Sequence, residues 1–354
     1  MEKIRVLVVE DSLIFRELLV KHLNADPELE VVAVASNPFE ARDKIISHKP
    51  DVMTLDVELP RMDGIEFLRK LMPQYPLRTI VVSTLSDRVF DALHAGAVDF
   101  VAKPLVTDRT KLEEFVKNEL PQKVKIAAKA RLRRAMPQMA AQPQNQPVAG
   151  GTEGRRLNNR DRQTIVAIGA STGGTEATAE ILKGFGDDMP GILITQHMPA
   201  GFTKMYAERL DQRSGLRLRV KEAQSGDVVK PGQVLLAPGG DSHMELTRVN
   251  GQYQVVLKRT PKVNGHCPSV DVLFKSVARE AGANSVGIIL TGMGGDGAAG
   301  LLAMKQAGAK TIGQDESTCV VYGMPKVAYE MGAVDYQEKL QDIPKRTYQL
   351  LSQF

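Results

Sequence analysis

Residues 164–174 read Thr-Ile-Val-Ala-Ile-Gly-Ala-Ser-Thr-Gly-Gly, an apolar run that ends in a serine close to glycines. A short apolar run that leads into a glycine turn is typical of a buried parallel strand. Two similar apolar runs follow. Residues 191–196 end directly before His197, and residues 285–291 lead through a glycine-rich turn to Asp296. Ligands bind at the carboxyl ends of strands in an open α/β sheet, so these runs predict that a serine, a histidine and an aspartate share one edge.

The side chains of Ser171, His197 and Asp296 are those of a hydrolytic triad. A serine hydroxyl is a weak nucleophile at neutral pH and needs a base, which in turn needs an acid to orient it. The segment Gly169-Ala-Ser-Thr-Gly173 has the G-x-S-x-G form, whose glycines allow a sharp turn that exposes the serine oxygen. The three residues occur along the chain in the order serine, histidine, aspartate, which differs from the order in α/β-hydrolases. The pattern therefore predicts triad chemistry but argues against membership in that superfamily.

Two other groups of residues could supply the nucleophile or the base. His243 with Asp241 is an alternative base and acid, but this pair falls in a region of predicted hairpins and not at a parallel strand end. His266 and Cys267 suggest a cysteine nucleophile, but Pro268 follows them in a predicted loop. We therefore favour the serine at the glycine turn.

A nucleotide-binding loop is the strongest rival interpretation of this half of the chain. Gly292-Met-Gly-Gly-Asp-Gly297 matches G-x-G-x-x-G after a predicted strand, and Asp315 lies near the spacing of a ribose-binding acid. Against this interpretation, Asp296 would place a carboxylate inside the turn that should hold a pyrophosphate, and the charges would repel. A Walker loop is excluded because neither glycine turn continues into Gly-Lys-Ser/Thr.

The composition is that of a globular chain with two domains. At 354 residues, with 25% charged and 43% hydrophobic residues, the chain is long enough for two cores. The net charge of +4 is too small to indicate nucleic acid as a partner, and two cysteines exclude a disulfide framework. Glu10 and Asp11 come too early for a signal peptide, and no run reaches the roughly 20 apolar residues of a membrane span. We expect a cytoplasmic protein without membrane insertion.

The sequence pattern divides the chain into three parts. Residues 1–122 contain five alternating strand and helix patterns, which predict a parallel sheet with helices on both faces. Residues 123–162 begin with a basic helix extension and continue as a Pro- and Gln-rich linker that cannot bury enough apolar surface to order itself. Residues 163–354 predict a doubly wound, mainly parallel α/β sheet. The turns within 217–258 predict antiparallel hairpins inserted into that sheet.

Polar residues follow four strands of the first part. The predicted strands are 4–9, 30–35, 51–55, 79–82 and 99–102. The polar residues at their ends are Glu10, Asp11, Asp56, Ser83, Thr84 and Lys103. Carboxylates that converge at one edge need a hard cation, and Mg²⁺ prefers a few carboxylates with water and phosphate oxygens. Asp56 could then accept a phosphoryl group, with Lys103 and a hydroxyl from Ser83 or Thr84 binding the phosphate.

This first part resembles the receiver domain of bacterial response regulators. The matching features are Glu10-Asp11, Asp56, Leu59-Pro60, Met62-Asp63-Gly64 and Lys103-Pro104. The family implies a flavodoxin-like fold, phosphorylation at Asp56 in the presence of Mg²⁺, and a histidine kinase as phosphodonor. Its switch hydroxyl maps to either Ser83 or Thr84, of which we favour Ser83.

Residues 163 to about 345 resemble the catalytic domain of the CheB family of chemotaxis protein-glutamate methylesterases. The matching motifs are Gly169-Ala-Ser-Thr-Gly-Gly174, Gln196-His-Met-Pro199, Ala237-Pro-Gly-Gly240, Pro268-Ser-Val-Asp271, Thr291-Gly-Met-Gly-Gly-Asp-Gly297 and Tyr322-Gly-Met-Pro325. The family implies a serine hydrolase that needs no cofactor for hydrolysis. It demethylates glutamate methyl esters on methyl-accepting chemotaxis receptors and deamidates certain glutamines. Its triad maps onto Ser171, His197 and Asp296.

Together the two resemblances imply a regulated enzyme. We expect backbone amides near Thr172 or Met293 to form the oxyanion hole. We also expect the unphosphorylated receiver to cover the serine edge, and phosphorylation of Asp56 to weaken that contact. The alternative is a response regulator whose C-terminal domain binds a receptor or a nucleotide without esterase activity.

Overall fold

A computed structural model describes residues 2–84, 87–104, 109–132, 163–213 and 215–354. The chain forms two compact units, Met1–Gln142 and Pro143–Phe354. Most of the predicted linker, residues 133–162, lies outside the described residues. Among the described residues, none of the helices combines the length and the apolar character that a membrane span requires.

The first unit contains a five-stranded parallel sheet in the order β2-β1-β3-β4-β5. The strands are β1 (Ile4–Val9), β2 (Leu29–Ala35), β3 (Val52–Asp56), β4 (Arg78–Ser83) and β5 (Asp99–Ala102). This strand order is that of the flavodoxin-like fold, and the prediction of that fold is confirmed. The strands begin and end within a residue of the predicted positions because their apolar runs are short and sharply bounded.

Helices follow each strand of this sheet. They are α1 (Leu13–Ala25), α2 (Pro38–His48), α3 (Gly64–Leu71), α4 (Arg88–His94), α5 (Arg109–Glu114) and, after a π-helical turn at Phe115–Glu119, α6 (Leu120–Ala128). Polar side chains at Ser12, Asn37 and Asp63 accept backbone hydrogen bonds at the first turns of α1, α2 and α3. Such caps satisfy N–H groups that the helix itself leaves without acceptors.

The basic helix extension packs onto its own unit. Val124 and Ala127 of α6 are fully buried. Lys123 Nζ lies 2.5 Å from Asp99 Oδ2, and Lys125 Nζ lies 3.0 Å from Asp26 Oδ2. Two of its basic side chains therefore pair with acids of the first unit, which accounts for part of its charge without nucleic acid.

The second unit contains a seven-stranded sheet in the order β14-β13-β12-β6-β7-β9-β8, and each adjacent pair is parallel. The strands are β6 (Ile165–Ala170), β7 (Gly191–Gln196), β8 (Arg219–Glu222), β9 (Gln233–Leu236), β12 (Ser285–Ile289), β13 (Lys310–Gln314) and β14 (Tyr336–Glu338). The helices are α7 (Gly174–Lys183), α8 (Phe202–Asp211), α9 (Val270–Glu280), α10 (Ala298–Gln306), α11 (Met324–Glu330) and α12 (Ile343–Leu351). The predicted doubly wound, mainly parallel sheet is confirmed.

One antiparallel hairpin is inserted in this unit. Strands β10 (His243–Val249) and β11 (Gln252–Lys258) pair through the two-residue loop Asn250-Gly251 and form a sheet of their own. The prediction of further hairpins within 217–258 is wrong, because β8 is a parallel edge strand of the main sheet and β9 pairs in parallel with both β8 and β7. The turn at Pro231-Gly232 redirects the chain without forming an antiparallel pair, because β8 and β9 on its two sides run parallel.

The strand order places the serine and aspartate turns at a topological switch point. From β6 the chain continues to β7 on one side, whereas β12, on the other side of β6, is followed by β13 and β14. All residues of β6, β7 and β12 are buried. A crevice outside the carboxyl ends of strands at such a point is the usual ligand site of an open α/β sheet.

The core of this unit depends on a close approach between α9 and β6. An added Cβ at Gly169 would lie 2.1 Å from Val270 Cγ1 and 3.2 Å from Phe274 Cζ. We predict that Gly169→Ala destabilises the second unit by about 1–3 kcal/mol, since overpacking a core costs that much. The β-branched valine has few rotamers into which it can move. Urea unfolding followed by circular dichroism measures the change in free energy.

The double variant with Gly169→Ala and Val270→Ala serves as the control. It removes the two methyl groups that the new Cβ would meet, so part of the lost stability should return. A double variant that is less stable than the sum of its single substitutions would show that this contact is not the cause.

Candidate functional site

Ser171 lies in a tight turn between β6 and α7. Its backbone N–H donates to the Thr291 carbonyl at 3.0 Å, and its own carbonyl accepts from the Gly174 N–H at 2.7 Å. The first bond fixes the serine turn against the segment that follows β12, and the second closes the turn onto the first residue of α7. The structure thus contains the strand, turn and helix that the G-x-S-x-G pattern predicts.

His197 and Asp296 form a buried pair beyond the ends of β7 and β12. His197 Nε2 lies 2.8 Å from Asp296 Oδ2, and the two side chains are 8% and 1% exposed. The His197 N–H donates to the Ala170 carbonyl at 3.1 Å, directly beside Ser171. Within the described residues, His197 Nδ1 is buried without a hydrogen-bond partner. The serine oxygen is therefore not bonded to the imidazole, and Nδ1 is the ring nitrogen without a partner among these residues.

The Asp296 carboxylate is the most heavily bonded group in this site. It accepts five hydrogen bonds at 2.7 to 3.3 Å, from His197 Nε2, Asn264 Nδ2, Ser269 Oγ and the backbone N–H groups of Val270 and Asp271. Burial alone would raise the pKa of this carboxyl. The hydrogen bonds from His197 and the other donors outweigh burial and hold the Asp296 pKa well below its usual range. The acid is therefore charged at neutral pH.

The Asp296 carboxylate also lies at the N-terminus of α9 and bonds to its first backbone N–H groups. A serine before a helix commonly caps it, but the Ser269 hydroxyl makes no capping bond and donates to Asp296 instead. The Asp296 oxygens accept the Val270 and Asp271 N–H groups that the helix leaves without acceptors. A helix N-terminus stabilises negative charge, so the same contact satisfies the helix and keeps the acid ionised.

The alternative base and nucleophile have other partners. His243 is fully buried, its Nδ1 accepts from the Ser269 N–H at 3.0 Å, and its Nε2 lies 3.1 Å from the Pro261 carbonyl. Asp241 is exposed and pairs with Arg259. Burial and the negative charge of Asp241 raise the pKa of the Cys267 thiol, which disfavours the reactive thiolate.

The two acids of the rival nucleotide-binding interpretation also have hydrogen-bond partners within the protein. Asp296 within the glycine turn faces α9 and His197. Asp315, the candidate ribose-binding acid, accepts from the Ser317 N–H at 3.0 Å and caps a short 3₁₀ helix, Glu316–Thr318. Neither carboxylate is left for a nucleotide.

The first unit brings its acids together at the ends of β1 and β3. Glu10, Asp11 and Asp56 each offer an oxygen within 4.8 Å of the other two. Lys103 Nζ lies 2.6 Å from Asp56 Oδ2 and 2.9 Å from both oxygens of Glu10. Burial and the charge of Asp56 raise the pKa of the Glu10 carboxyl to about 7, although Lys103 opposes the shift. This excess of buried acid is the arrangement that a divalent cation neutralises.

The two candidate switch hydroxyls differ in environment. Ser83 is 2% exposed at the end of β4, and its carbonyl accepts from the Lys103 N–H at 2.6 Å. Thr84, one residue later, is exposed. Ser83 is thus joined to the lysine of the acidic cluster through the backbone.

Comparisons with known proteins agree with this geometry. Residues 166–347 match the family model of the CheB methylesterase, and residues 6–117 match that of the response regulator receiver domain. The chain belongs to the CheB methylesterase family. It is 56% identical over 353 residues to the "Protein-glutamate methylesterase/protein-glutamine glutaminase 2" of Syntrophomonas wolfei, with 100% of this chain and 99% of that protein covered.

Two further relatives support the assignment. The corresponding protein of Syntrophotalea carbinolica is 49% identical, and the alignment covers 99% of both chains. The crystal structure of the Thermotoga maritima CheB methylesterase catalytic domain aligns with a TM-score of 0.51 and 40% identity. It covers 54% of this chain and 98% of that chain. The resemblances to the CheB and receiver families are confirmed.

Sequence reasoning missed several residues of this CheB site. Gln196 is 3% exposed, and its Nε2 donates to the Ser171 carbonyl at 2.9 Å and to the His197 carbonyl at 3.2 Å. One carboxamide thus joins the serine turn to the histidine segment. Its position directly before His197 was the available signal. Ser269 lies in the Pro268-Ser-Val-Asp271 motif, which did not indicate its bond to Asp296, and Asn264 lies in a segment without periodic pattern.

The depressed pKa of Asp296 has a consequence for stability. A carboxyl whose folded pKa lies below its ordinary value near 4 stabilises the fold above that value, and the contribution is lost as the pH falls. We predict that Asp296→Asn lowers the stability of the second unit at pH 7. Its unfolding free energy should also fall less than that of the unaltered protein between pH 5 and pH 3. Urea unfolding across this pH range measures both effects.

The exposed acid Asp187 of the same unit provides the control. Asp187→Asn should keep the pH dependence of the unaltered protein. A pH slope that Asp296→Asn leaves unchanged would show that the carboxylate is not held in its charged form by folding.

Proposed function

We propose that this chain is a protein-glutamate methylesterase that hydrolyses glutamate methyl esters on chemotaxis receptors, and that it also deamidates certain glutamines of those receptors. The names of the relatives from Syntrophomonas wolfei and Syntrophotalea carbinolica support both activities. The observation that carries the proposal is the buried pair of His197 and Asp296 beside the serine turn at the sheet's switch point.

The hydrogen bonds define how the base would work. The charged Asp296 carboxylate accepts from His197 Nε2, so Nε2 carries a proton and Nδ1 presents its lone pair. In the proposed reaction, Nδ1 takes the proton of the Ser171 hydroxyl as its oxygen attacks the ester carbonyl. The imidazolium then gives this proton to the departing methoxide, which leaves as methanol. Water, deprotonated by the same nitrogen, hydrolyses the acyl-enzyme. For glutamine, ammonia takes the place of methanol.

The oxyanion would bind to backbone amides beside the serine. Gly292 lies so close that an added Cβ would be 2.6 Å from Ser171 Cβ, which places the following amide of Met293 next to the nucleophile. Among the described residues, no acceptor binds the Met293 N–H. We therefore favour Met293 as one donor and retain Thr172, which follows the serine, as the second candidate. Removal of one such donor typically lowers the rate about 10²–10³-fold.

A binding module without esterase activity is the alternative. Such a module would have no need for a buried imidazole whose Nε2 bonds to a carboxylate and whose Nδ1 is unpaired. A buried polar nitrogen without a partner is costly, and such groups are common where a reaction uses them. The geometry therefore favours the hydrolase.

For the first unit we propose phosphorylation of Asp56 by a histidine kinase, supported by the match to the receiver family. Glu10, Asp11 and Asp56 offer the oxygen ligands that Mg²⁺ prefers, and burial together with the charge of Asp56 raises the Glu10 pKa. When bound, Mg²⁺ neutralises phosphoryl oxygens. Lys103 would move from its carboxylate partners to the phosphoryl group, and Ser83 or Thr84 would donate a hydroxyl to it.

The two activities would be coupled within one chain. We propose residues 1–122 as the receiver, 163–354 as the methylesterase and 123–162 as the helix extension and linker. The unphosphorylated receiver restrains hydrolysis, and phosphorylation of Asp56 relieves the restraint. Phosphorylation replaces the single charge of the Asp56 carboxylate with a phosphoryl group that carries nearly two negative charges and three acceptor oxygens, which is enough to alter the docking of a domain.

Ser171→Ala should abolish methanol release from methylated receptor, because the substitution removes the hydroxyl that would attack the ester carbonyl. The variant should fold normally, since the backbone bonds of this turn do not use the side chain. Gas chromatography of released methanol measures the reaction. Ser242→Ala, which changes a serine whose hydroxyl donates to the exposed Asp241, is the matched control and should retain activity. Methanol release by Ser171→Ala at the native rate would remove the serine from its role.

Phosphorylation should accelerate methanol release only when Asp56 is present. A small-molecule phosphodonor with Mg²⁺ should raise the rate of the unaltered chain, whereas Asp56→Asn should show no increase. Asp43→Asn, which changes an exposed acid of α2, should respond like the unaltered chain. The same increase in Asp56→Asn would contradict the proposed phosphorylation site.

A further inference from the structure

A two-residue turn contacts both the acid and the base of the hydrolase site. Val263 and His266 exchange both backbone hydrogen bonds, at 3.0 and 2.9 Å. Between them, Asn264 and Gly265 have φ angles of 53° and 82°. Two successive left-handed residues form the type I′ turn, for which Asn-Gly is the preferred sequence. We call residues 263–266 the triad turn.

The first contact of the triad turn is a stacked pair of rings. The His266 ring lies 3.7 Å from the His197 ring, centroid to centroid, with the planes 10° apart. A flat ring at van der Waals distance leaves His197 no room to tilt toward that side. His197 Nε2 is already held by Asp296, so the stack fixes the remaining freedom of the ring and with it the direction of Nδ1.

The second contact of the triad turn reaches the acid. Asn264 Nδ2 donates at 2.9 Å to Asp296 Oδ1 and at 2.9 Å to Asp271 Oδ2. Two buried carboxylates would repel each other, and a shared neutral donor between them reduces that repulsion. The same amide fixes the rotation of the Asp296 carboxylate, whose other oxygen bonds to His197.

The position of the triad turn argues against a role in the core. Asn264 and Gly265 are exposed, as are the preceding Pro261 and Lys262. An exposed turn adds little to the apolar core. The side chains of Asn264 and His266 nevertheless meet the buried acid and base, and only Gly265 separates these two residues in the turn.

We propose that Asn264 and His266 are positioning residues, which together hold the imidazole and carboxylate in the alignment that proton transfer from Ser171 requires. This inference rests on the proposed hydrolase function. It assigns no contact with substrate to either residue. Their loss should therefore lower kcat and leave KM nearly unchanged, because the substrate site stays intact while the reacting groups lose alignment.

The experiment measures kcat and KM for methanol release and the rate at which a fluorophosphonate labels Ser171, all in the full chain. His266→Ala removes the ring and should lower kcat and the labelling rate about 10-fold, since misplacement by about 1 Å can cost 10²-fold. His266→Phe keeps a flat ring without a titratable nitrogen and should restore most of the rate. KM should change less than about twofold in both.

Asn264→Gly tests the second contact without straining the turn, because glycine accepts the left-handed backbone. It should lower kcat and labelling about 10-fold, and Asn264→Asp should lower them further by adding a third carboxylate. The matched control is Asn250→Gly. Asn250 and Gly251 have φ angles of 50° and 78° in the hairpin loop, so the backbone change is the same and the site is untouched. This control should keep native kcat.

Each contrary result overturns the proposal in a different way. Equal losses in His266→Ala and His266→Phe would exclude stacking, and a rise in KM at constant kcat would assign the turn to substrate binding. Native rates in Asn264→Gly, or an equal loss in Asn250→Gly, would exclude the role of the Asn264 amide. If the unaltered chain neither releases methanol nor is labelled at Ser171, the proposed hydrolase function itself is wrong. This result differs from a failure of the positioning proposal, in which the unaltered chain is active and only the expected differences among the variants are missing.

Discussion

The buried Asp296 carboxylate is the interaction on which the arrangement of the hydrolase site depends. A charge removed from water is tolerated only when hydrogen bonds replace the lost solvation. Its donors come from the segment after β7, from the triad turn and from the first turn of α9. One carboxylate therefore aligns the segment after β7 with the stretch 264–271, which lies far from it in sequence. The backbone N–H groups at the start of α9 donate to the same carboxylate. This one group therefore stabilises both the helix and the arrangement of the site.

The sequence was sufficient to predict the five strands of the first unit, the three apolar strands β6, β7 and β12 of the second, the domain types and the residues that directly follow these strand ends. Apolar runs and glycine turns are local signals, and Ser171 and His197 follow such runs without interruption. Asn264 and Ser269 could not be found in this way. They reach Asp296 only because α9 packs against Gly169 of β6 and brings the loop before it over the site. Contacts that depend on the approach of two elements leave no periodic trace in either one.

The hairpin region shows the limit of turn signals. Asn250-Gly251 is a two-residue loop, and such a loop forces the flanking strands to pair with each other. Pro231-Gly232 also turns the chain, but the ten residues between β8 and β9 are enough for the chain to return in the same direction and pair in parallel. A turn residue thus predicts a change of direction, whereas the length of the connection decides which strands become partners.

The two units treat buried acids in opposite ways, and the difference fits their proposed roles. Asp296 is surrounded by donors, so its pKa is depressed and its charge persists. Glu10 shares its site with a second carboxylate, and burial raises its pKa to about 7 even with Lys103 in contact. An orienting acid must keep one charge throughout a reaction cycle. A phosphorylation site must instead accept a cation and new negative charge, and acids that are only partly neutralised leave it responsive to both.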